Sequence, residues 1–369
     1  MKSAYCFFFI VIFFFAHFQE LYALNDTNDN PSFCDMSTIA PDKRAATSKI
    51  VQFCFTSQLN IGDYLPTLGI RNMLGQNTDL WNMHDRNIDF DFINKNYKCA
   101  IIGGAGLFHK GFEAFYRNFL KQCKIPLIVW GVGICLPNGK IKINEGVNKQ
   151  IIARLEQRCE LINVRDELTS KYYNLQKGSV SACPTIVYLQ KFRNFVEKNS
   201  DLILYSSHNT LVPDEENLKI ISTIKQNVSN FKMVNNIFSQ EKKISEIEDI
   251  IMDYCKSKII VTTRLHGAII AYSLGIPYII IPFDEKLRAF HQRYGNGVIA
   301  NNMEELKNFL LNHDWISLKP IELKPVLDFG NQAKQWAENL IDFRSYTVLK
   351  YVLHIIGLKY IIDLIRHYV

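Results

Sequence analysis

From Lys49 onward, short apolar runs alternate with longer segments whose apolar positions recur at helical spacing. Runs rich in Val, Ile and Phe and bounded by Gly, Asn or Asp read as buried strands, and the segments between them as covering helices. A first series has strands at 49–55, 79–83, 99–102, 127–130, 161–164 and 180–182, with helices at 64–74, 113–122, within 148–158 and at 167–175. A charged connector near 191–199 interrupts it. The pattern then restarts, with strands at 202–205, 231–234, 259–261 and 298–300 and a further apolar strand after Gly275. Its helices fall at 215–226, from Ser245 to Lys256, between Arg264 and Gly275, and at 304–311. Ser245 and Glu248 have capping-box spacing and predict where the second of these begins. Two such series specify two α/β halves, each a parallel sheet covered on both faces, with a cleft between the carboxyl ends of their strands. The halves are expected at 49–190 and 200–320, followed by a helical tail at 321–369. Within that tail, Leu349, Val352, Leu353, Ile356 and Tyr360 form a stripe that reads as the inner face of a packed helix rather than a membrane-surface face.

Composition narrows the class. A chain of 369 residues with 48% apolar and 21% charged residues is globular and long enough for two domains. The net charge of +6 is spread thinly, with no basic block interleaved with aromatics, so nucleic acid is not the expected partner. Residues 1–24 differ from the rest. The run Ala4–Ala16 is apolar and rich in Phe, follows Lys2, and is shorter than the roughly 20 residues of a membrane span. It reads as a secretory signal peptide with Ala23 as candidate cleavage position, or as a short uncleaved type II anchor extending to Phe18. Either puts the remainder on the lumenal side of the secretory pathway or outside the cell. Membrane contact is then confined to the N-terminal segment if it stays uncleaved. The sequons at Asn25 and Asn227 agree, and 25–48 reads as a polar linker. Nine cysteines show neither a C-x-x-C pair nor a zinc spacing; no structural metal is expected, and no disulfide pairing is assigned. Cys54, Cys99 and Cys135 fall in strand-like runs, where a thiol is a small buried hydrophobe.

Candidate chemistry concentrates at strand ends. A strand leading through Thr262 and Thr263 places Arg264 and His266 at a helix N-terminus, where free backbone N–H groups and a positive dipole end favour an anion. Gly267, Ala268 and Ala271 let that helix lie close to a sheet. The plainer alternative pairs Arg264 with a carboxylate and makes His266 a turn cap. Arg165 ends a strand of the first half in the same way, and Lys286 lies beyond the next strand, as a further anion ligand or a solvated loop residue. Asp63 is either the N-cap of helix 64–74 or a group that binds or deprotonates a substrate. Gly103, Gly104 and Gly106 let backbone approach a ligand or simply turn the chain. Trp130 is either a stacking surface for a sugar or a core residue. Asp89-Phe90-Asp91 has a metal-binding form but is a common triplet ahead of a strand.

The segments NIGDYLP (Asn60–Pro66), GGAG (Gly103–Gly106), WGVG (Trp130–Gly133), VRDELTSKYY (Val164–Tyr173), RLHGAI (Arg264–Ile269) and the PFDEK ending at Lys286 occur in one order. In this the chain resembles the polysaccharide pyruvyl transferase family over roughly 49–313. The resemblance implies a GT-B-like fold, two Rossmann-like domains facing across a cleft. It also implies transfer of the pyruvyl group of phosphoenolpyruvate onto two hydroxyls of a glycan as a cyclic ketal. Under it Arg165, Arg264, Leu265 and His266 hold the donor; read from position and chemistry, Lys286, Gly103, Gly104 and Gly106 complete that pocket, His266 and Asp63 handle protons, and Asn60 and Trp130 face the acceptor. Phosphoenolpyruvate is the donor substrate, and no cofactor is implied. The chain departs from the family where Cys183-Pro184-Thr185 replaces the usual Asp-Pro, and where Ala105 interrupts the glycine run. Two rival readings share the fold: a nucleotide-sugar glycosyltransferase that would set Asp284 on a ribose, and a non-catalytic glycan-binding relative.

Overall fold

The computed structural model describes residues 33–56, 59–134, 146–208, 211–239, 243–317 and 319–341. The apolar run at 4–16, Ala23, the sequon at Asn25, Cys135 and the amphipathic stripe at 349–360 lie outside these residues.

The first half runs β1 (Ile50–Cys54), α1 (Ile61–Leu74), β2 (Asp79–Asn82), α2 (Phe90–Asn96), β3 (Cys99–Gly103), α3 (Glu113–Gln122) and β4 (Leu127–Val132). It continues through α4 (Lys149–Arg158), β5 (Leu161–Val164), α5 (Glu167–Tyr173) and β6 (Ser179–Val180). These strands form one parallel sheet of six, ordered β2-β1-β3-β4-β5-β6. The central β1, β3 and β4 are buried along their whole length, which is why they read as unbroken apolar runs. Helix α6 (Thr185–Leu189) leads to the second half. There β7 (Ile203–Ser206), α7 (Asp214–Asn227), β8 (Phe231–Val234), α8 (Ile244–Cys255), β9 (Ile259–Thr262), α9 (Leu265–Leu274), β10 (Tyr278–Ile280), α10 (Glu285–Tyr294), β11 (Val298–Ile299) and α11 (Met303–Leu311) follow. The second parallel sheet has five strands, ordered β11-β10-β9-β7-β8.

The halves share a core. One apolar cluster takes Leu65 and Leu68 from α1, Ile186 and Leu189 from α6, and Leu265, Ala268 and Ile269 from α9. Helix α9 is buried on nearly every side, so it has no polar face, and only its small residues and Gly275 cap mark it as a helix. Its Gly267 is required by packing, since a Cβ there would collide with Thr262 and Ser206.

Several local expectations are corrected. Helix α1 begins at Ile61 with Asn60 as N-cap, its Oδ1 accepting from the Gly62 N–H at 3.3 Å, so Asp63 sits inside the first turn. The capping box at Ser245 does not form: α8 starts at Ile244, and Glu246 instead accepts from the N–H and hydroxyl of Ser239, both at 2.6 Å. Glu248 is drawn away by the Tyr188 hydroxyl and the Lys191 ammonium, each at 2.7 Å. Asp89 caps α2, accepting from the Phe92 N–H at 2.9 Å, so the acidic triplet opens a helix rather than preceding a strand. Neither α2, α6 nor α10 was marked by the apolar pattern. The connector is structured too, with a 3-10 stretch at Gln190–Phe195 that buries Phe192. Residues 33–48 pack against β2: Phe33 and Met36 are buried, the Leu80 N–H donates to the Cys34 carbonyl at 2.8 Å, and the Thr47 N–H donates to Asp79 at 2.8 Å. Among the described residues no helix is long and apolar enough to cross a membrane.

The tail helix α12 (324–341) starts four residues before the Asp328 at which the sequence suggests it, and crosses back to the first half. Phe329 stacks edge-on against Trp130 with ring centroids 5.3 Å apart, and Ala333 and Ala337 are buried with Ile50, Ile101 and Ile128. The first sheet is therefore closed by a segment that follows the second in sequence. Truncating this buried ring in Phe329→Ala is expected to lower unfolding free energy by about 3 kcal/mol in urea titration, with a single cooperative transition retained.

Candidate active site

The carboxyl ends of both sheets meet at a cleft of about 320 Å³. Each wall is built from residues that follow strands, where an open α/β sheet exposes its loops and helix N-termini. The first half contributes Phe55 after β1, His84 after β2, Gly106 after β3 and Arg165 after β5, with Asn60 and Asp63 from the start of α1. The second contributes His208 after β7, Arg264, Leu265 and His266 at the start of α9, and Lys286 at the start of α10.

Each of the three cations is fixed by its neighbours. Arg165 is 5% exposed, and a Cβ at Gly133 would collide with its guanidinium, so the last glycine of WGVG is what seats it. Its Nε lies 3.4 Å from Asp166, whose other carboxylate oxygen already caps α5 by accepting from the Thr169 N–H at 2.7 Å and hydroxyl at 2.6 Å. Arg264 donates from Nε to the Ser207 carbonyl and from Nη1 to Asn60 Oδ1 at 3.4 Å. Those acceptors are neutral, and among the described residues Arg264 has no carboxylate partner, contrary to the plainer alternative. Burial pulls its pKa down from the ordinary guanidinium value. Lys286 Nζ lies 2.8 Å from Asp284 Oδ2. Asp284 is 4% exposed, its Oδ1 accepting from the Leu287 N–H at 3.2 Å as the cap of α10 while Oδ2 meets the Lys286 ammonium.

Two groups among these cations can move protons. His266 packs on the first turn of α1, where a Cβ at Gly62 would collide with its ring. Its Nε2 is buried and has no hydrogen-bond partner among the described residues. Burial, then the charges of Arg165, Lys286 and Arg264, drive its pKa well below the usual imidazole value, so the free site holds it neutral. Asp63, half-buried in the same cleft, accepts from Asn60 Nδ2 at 3.3 Å. Burial raises its carboxyl to about 7 despite that bond and the opposing charges of Lys286, Arg264 and Arg165. His208 is pushed down to about 3 by burial and then by Arg264 and Lys286. The site is thus a set of fixed cations around neutral imidazoles and a carboxyl balanced between its two protonation states near pH 7.

Of the residues singled out in sequence, Asn60, Asp63, Gly106, Arg165, Arg264, Leu265, His266 and Lys286 line one cleft. Gly103 and Gly104 face α1 instead, where Cβ atoms would meet Ile70 and Pro66, so their lack of a side chain serves helix-to-sheet contact. Trp130 is fully buried against Phe329 and presents no face to the cleft. Asn227 ends α7 half-buried, its amide donating to the Thr223 carbonyl at 2.7 Å. Cys183, in place of the family aspartate, is buried near Arg165, its thiol donating to Thr185 Oγ1 at 3.2 Å. The sequence reading missed His208, Phe55, His84, His109 and Phe112, which also line the cleft. Phe55, His84 and His208 could have been found by asking which polar or aromatic residues directly follow each strand.

This fold is a GT-B-like α/β architecture, two Rossmann-like sheets facing across a cationic cleft. The chain belongs to the polysaccharide pyruvyl transferase family, whose profile matches residues 60–285, from the cap of α1 to the first residue of α10. No curated protein matches it. Similar solved structures include an S. aureus MnaA–UDP co-structure, at TM-score 0.49 and 10% identity over 82% of this chain and 97% of that one. UDP-GlcNAc 2-epimerase from Neisseria meningitidis bound to UDP-GlcNAc gives TM-score 0.47 and 14% identity over 82% and 100%. Arabidopsis thaliana UGT89C1 complexed with UDP gives TM-score 0.42 and 6% identity over 77% and 94%.

The raised carboxyl has a consequence for stability. Asp63 titrates near pH 4 when unfolded and at about 7 when folded, so its favourable contribution is complete below about pH 4 and is lost as pH rises through about 7. Asp63→Asn should match the wild-type Tm near pH 4 and exceed it by a growing margin up to pH 8; a margin independent of pH would mean the carboxyl is not raised.

Proposed function

We propose that this chain transfers the pyruvyl group of phosphoenolpyruvate onto two hydroxyls of one sugar in a glycan. The observation that carries the reading is the convergence of Arg165, Arg264 and Lys286 from opposite halves on a cleft that also holds His266 and Asp63. A small frame bearing a phosphate and a carboxylate is a natural guest for such a grip. In this reaction a proton adds to the methylene carbon of the donor while the first sugar oxygen attacks its C2. The bond from C2 to the phosphate oxygen then breaks, and the second sugar oxygen closes the ketal. The two hydroxyl protons balance the step, one replacing the proton given to the methylene and one leaving with phosphate.

The pKa directions divide the labour. A bound trianion offsets the cations that depress Asp63 and His266, lifting the Asp63 carboxyl further and bringing His266 back toward the ordinary imidazole value. Asp63, already at about 7 in the free site, then suits donation to the methylene carbon. Neutral His266 suits acceptance of a hydroxyl proton. The buried cations stabilise charge on the departing phosphate. In this reading the N-terminal apolar segment delivers the domain to the lumen of the secretory pathway, where glycans are built. The nucleotide-sugar rival finds less support, because Asp284 is already engaged by Lys286 and by the α10 N-terminus.

The test is a transfer assay with phosphoenolpyruvate and galactosides, glucosides and mannosides, following phosphate release together with sugar mass. Arg165→Ala and His266→Ala are each expected to lower turnover about 100- to 1,000-fold. Wild-type kcat/KM should fall above about pH 7 as Asp63 loses its proton, and Asp63→Asn should be low at every pH. Phosphoenolpyruvate, and not UDP-sugars, should raise the Tm; the reverse result would replace this reading with the nucleotide-sugar one.

A further inference from the structure

The cleft continues outward past His84. This exposed side chain follows β2 and lines both the cleft and a second concavity of about 490 Å³ over the outer face of α3. The walls run on in sequence as well, Phe112 facing the cleft and Gly111 and Ala114 the outer groove. At their junction the rings of Phe55, His84 and Phe112 lie 4.6–5.4 Å apart, an aromatic ridge between the two spaces.

We infer that this groove is the subsite that holds the sugars next to the one being modified. The inference rests on the pyruvyl-transfer reading of the cleft. Helix α3 presents Ala114, Asn118 and Gln122 at successive i,i+4 steps, so they line one face. Ala114 leaves room for a ring. Asn118 and Gln122 are exposed, and among the described residues their side-chain amides have no hydrogen-bond partner. Beneath them Phe90 and Phe115 are buried and form an apolar floor. An apolar floor with an amide rim is the chemistry that binds the faces and hydroxyls of pyranose rings. Arg165, Arg264 and Lys286 line the cleft and not the groove, whose charged lining is Arg86 and the neighbouring Asp85, one of each sign rather than a cluster of cations. The groove volume is within the range of small-ligand sites.

The experiment uses the purified full chain with phosphoenolpyruvate and two sets of acceptors: methyl galactoside, glucoside and mannoside, and tetrasaccharides ending in each of these sugars. The accepted tetrasaccharide should show a KM about 10-fold below that of its methyl glycoside, roughly 1.4 kcal/mol. Asn118→Ala/Gln122→Ala and Ala114→Trp should each bring the tetrasaccharide KM up to the methyl glycoside value and leave methyl glycoside kinetics unchanged. Equal KM values for the two lengths in wild type, or variants that impair both lengths alike, would overturn the groove while leaving the reaction intact. If no sugar is pyruvylated, saturation-transfer NMR of the same tetrasaccharides decides the groove separately from the reaction. Saturation reaching rings beyond the terminal one in wild type and lost in Ala114→Trp supports it, and saturation confined to the terminal ring, unchanged by the variant, or absent altogether overturns it.

Discussion

The apolar seam between α1, α6 and α9 is the contact on which the site depends. It holds together two sheets that belong to separate stretches of chain, and the cleft exists only while it does. Because α9 is buried almost all round and α1 carries Gly62 where the imidazole comes close, the first turns of both helices can touch. Side chains two hundred residues apart in sequence then meet at hydrogen-bonding range, as Asn60 and Arg264 do. The close packing of such a core transmits any misfit to the groups at its edge.

Once the halves are locked, electrostatics follow from burial. The cations are placed by a backbone carbonyl, an amide and two carboxylates: Arg264 meets the neutral acceptors, while Arg165 and Lys286 are each ion-paired. The same burial that holds His266 neutral pushes the Asp63 carboxyl up toward neutrality. One cleft therefore holds a neutral imidazole and a carboxyl balanced between its two protonation states near pH 7.

Much of this was legible beforehand. Strands buried on both faces announce themselves as apolar runs, and amphipathic α3 and α4 were placed within a residue of their observed bounds. Helix α10 escaped because its sequence is mostly polar, and α2 and α6 because they are short. Arg165, Arg264 and His266 were found because strand ends mark the ligand side of such sheets. Trp130 and the pair Gly103 and Gly104 lie in motifs of the same kind, yet they face the interior. Motif membership says which loop matters, and the direction of each Cβ decides whether it faces ligand or core.

By itself the sequence determined the alternation of strands and helices, the two-sheet class and the residues able to bind an anion, because these follow from local periodicity and side-chain chemistry. Only the tertiary structure decided that α12 returns to close the first sheet on Trp130, that Gly133 seats Arg165, and that Asp63 and His266 share one desolvated cleft. These depend on contacts between distant segments and on how much water each group loses, and neither quantity is written in any local stretch of chain.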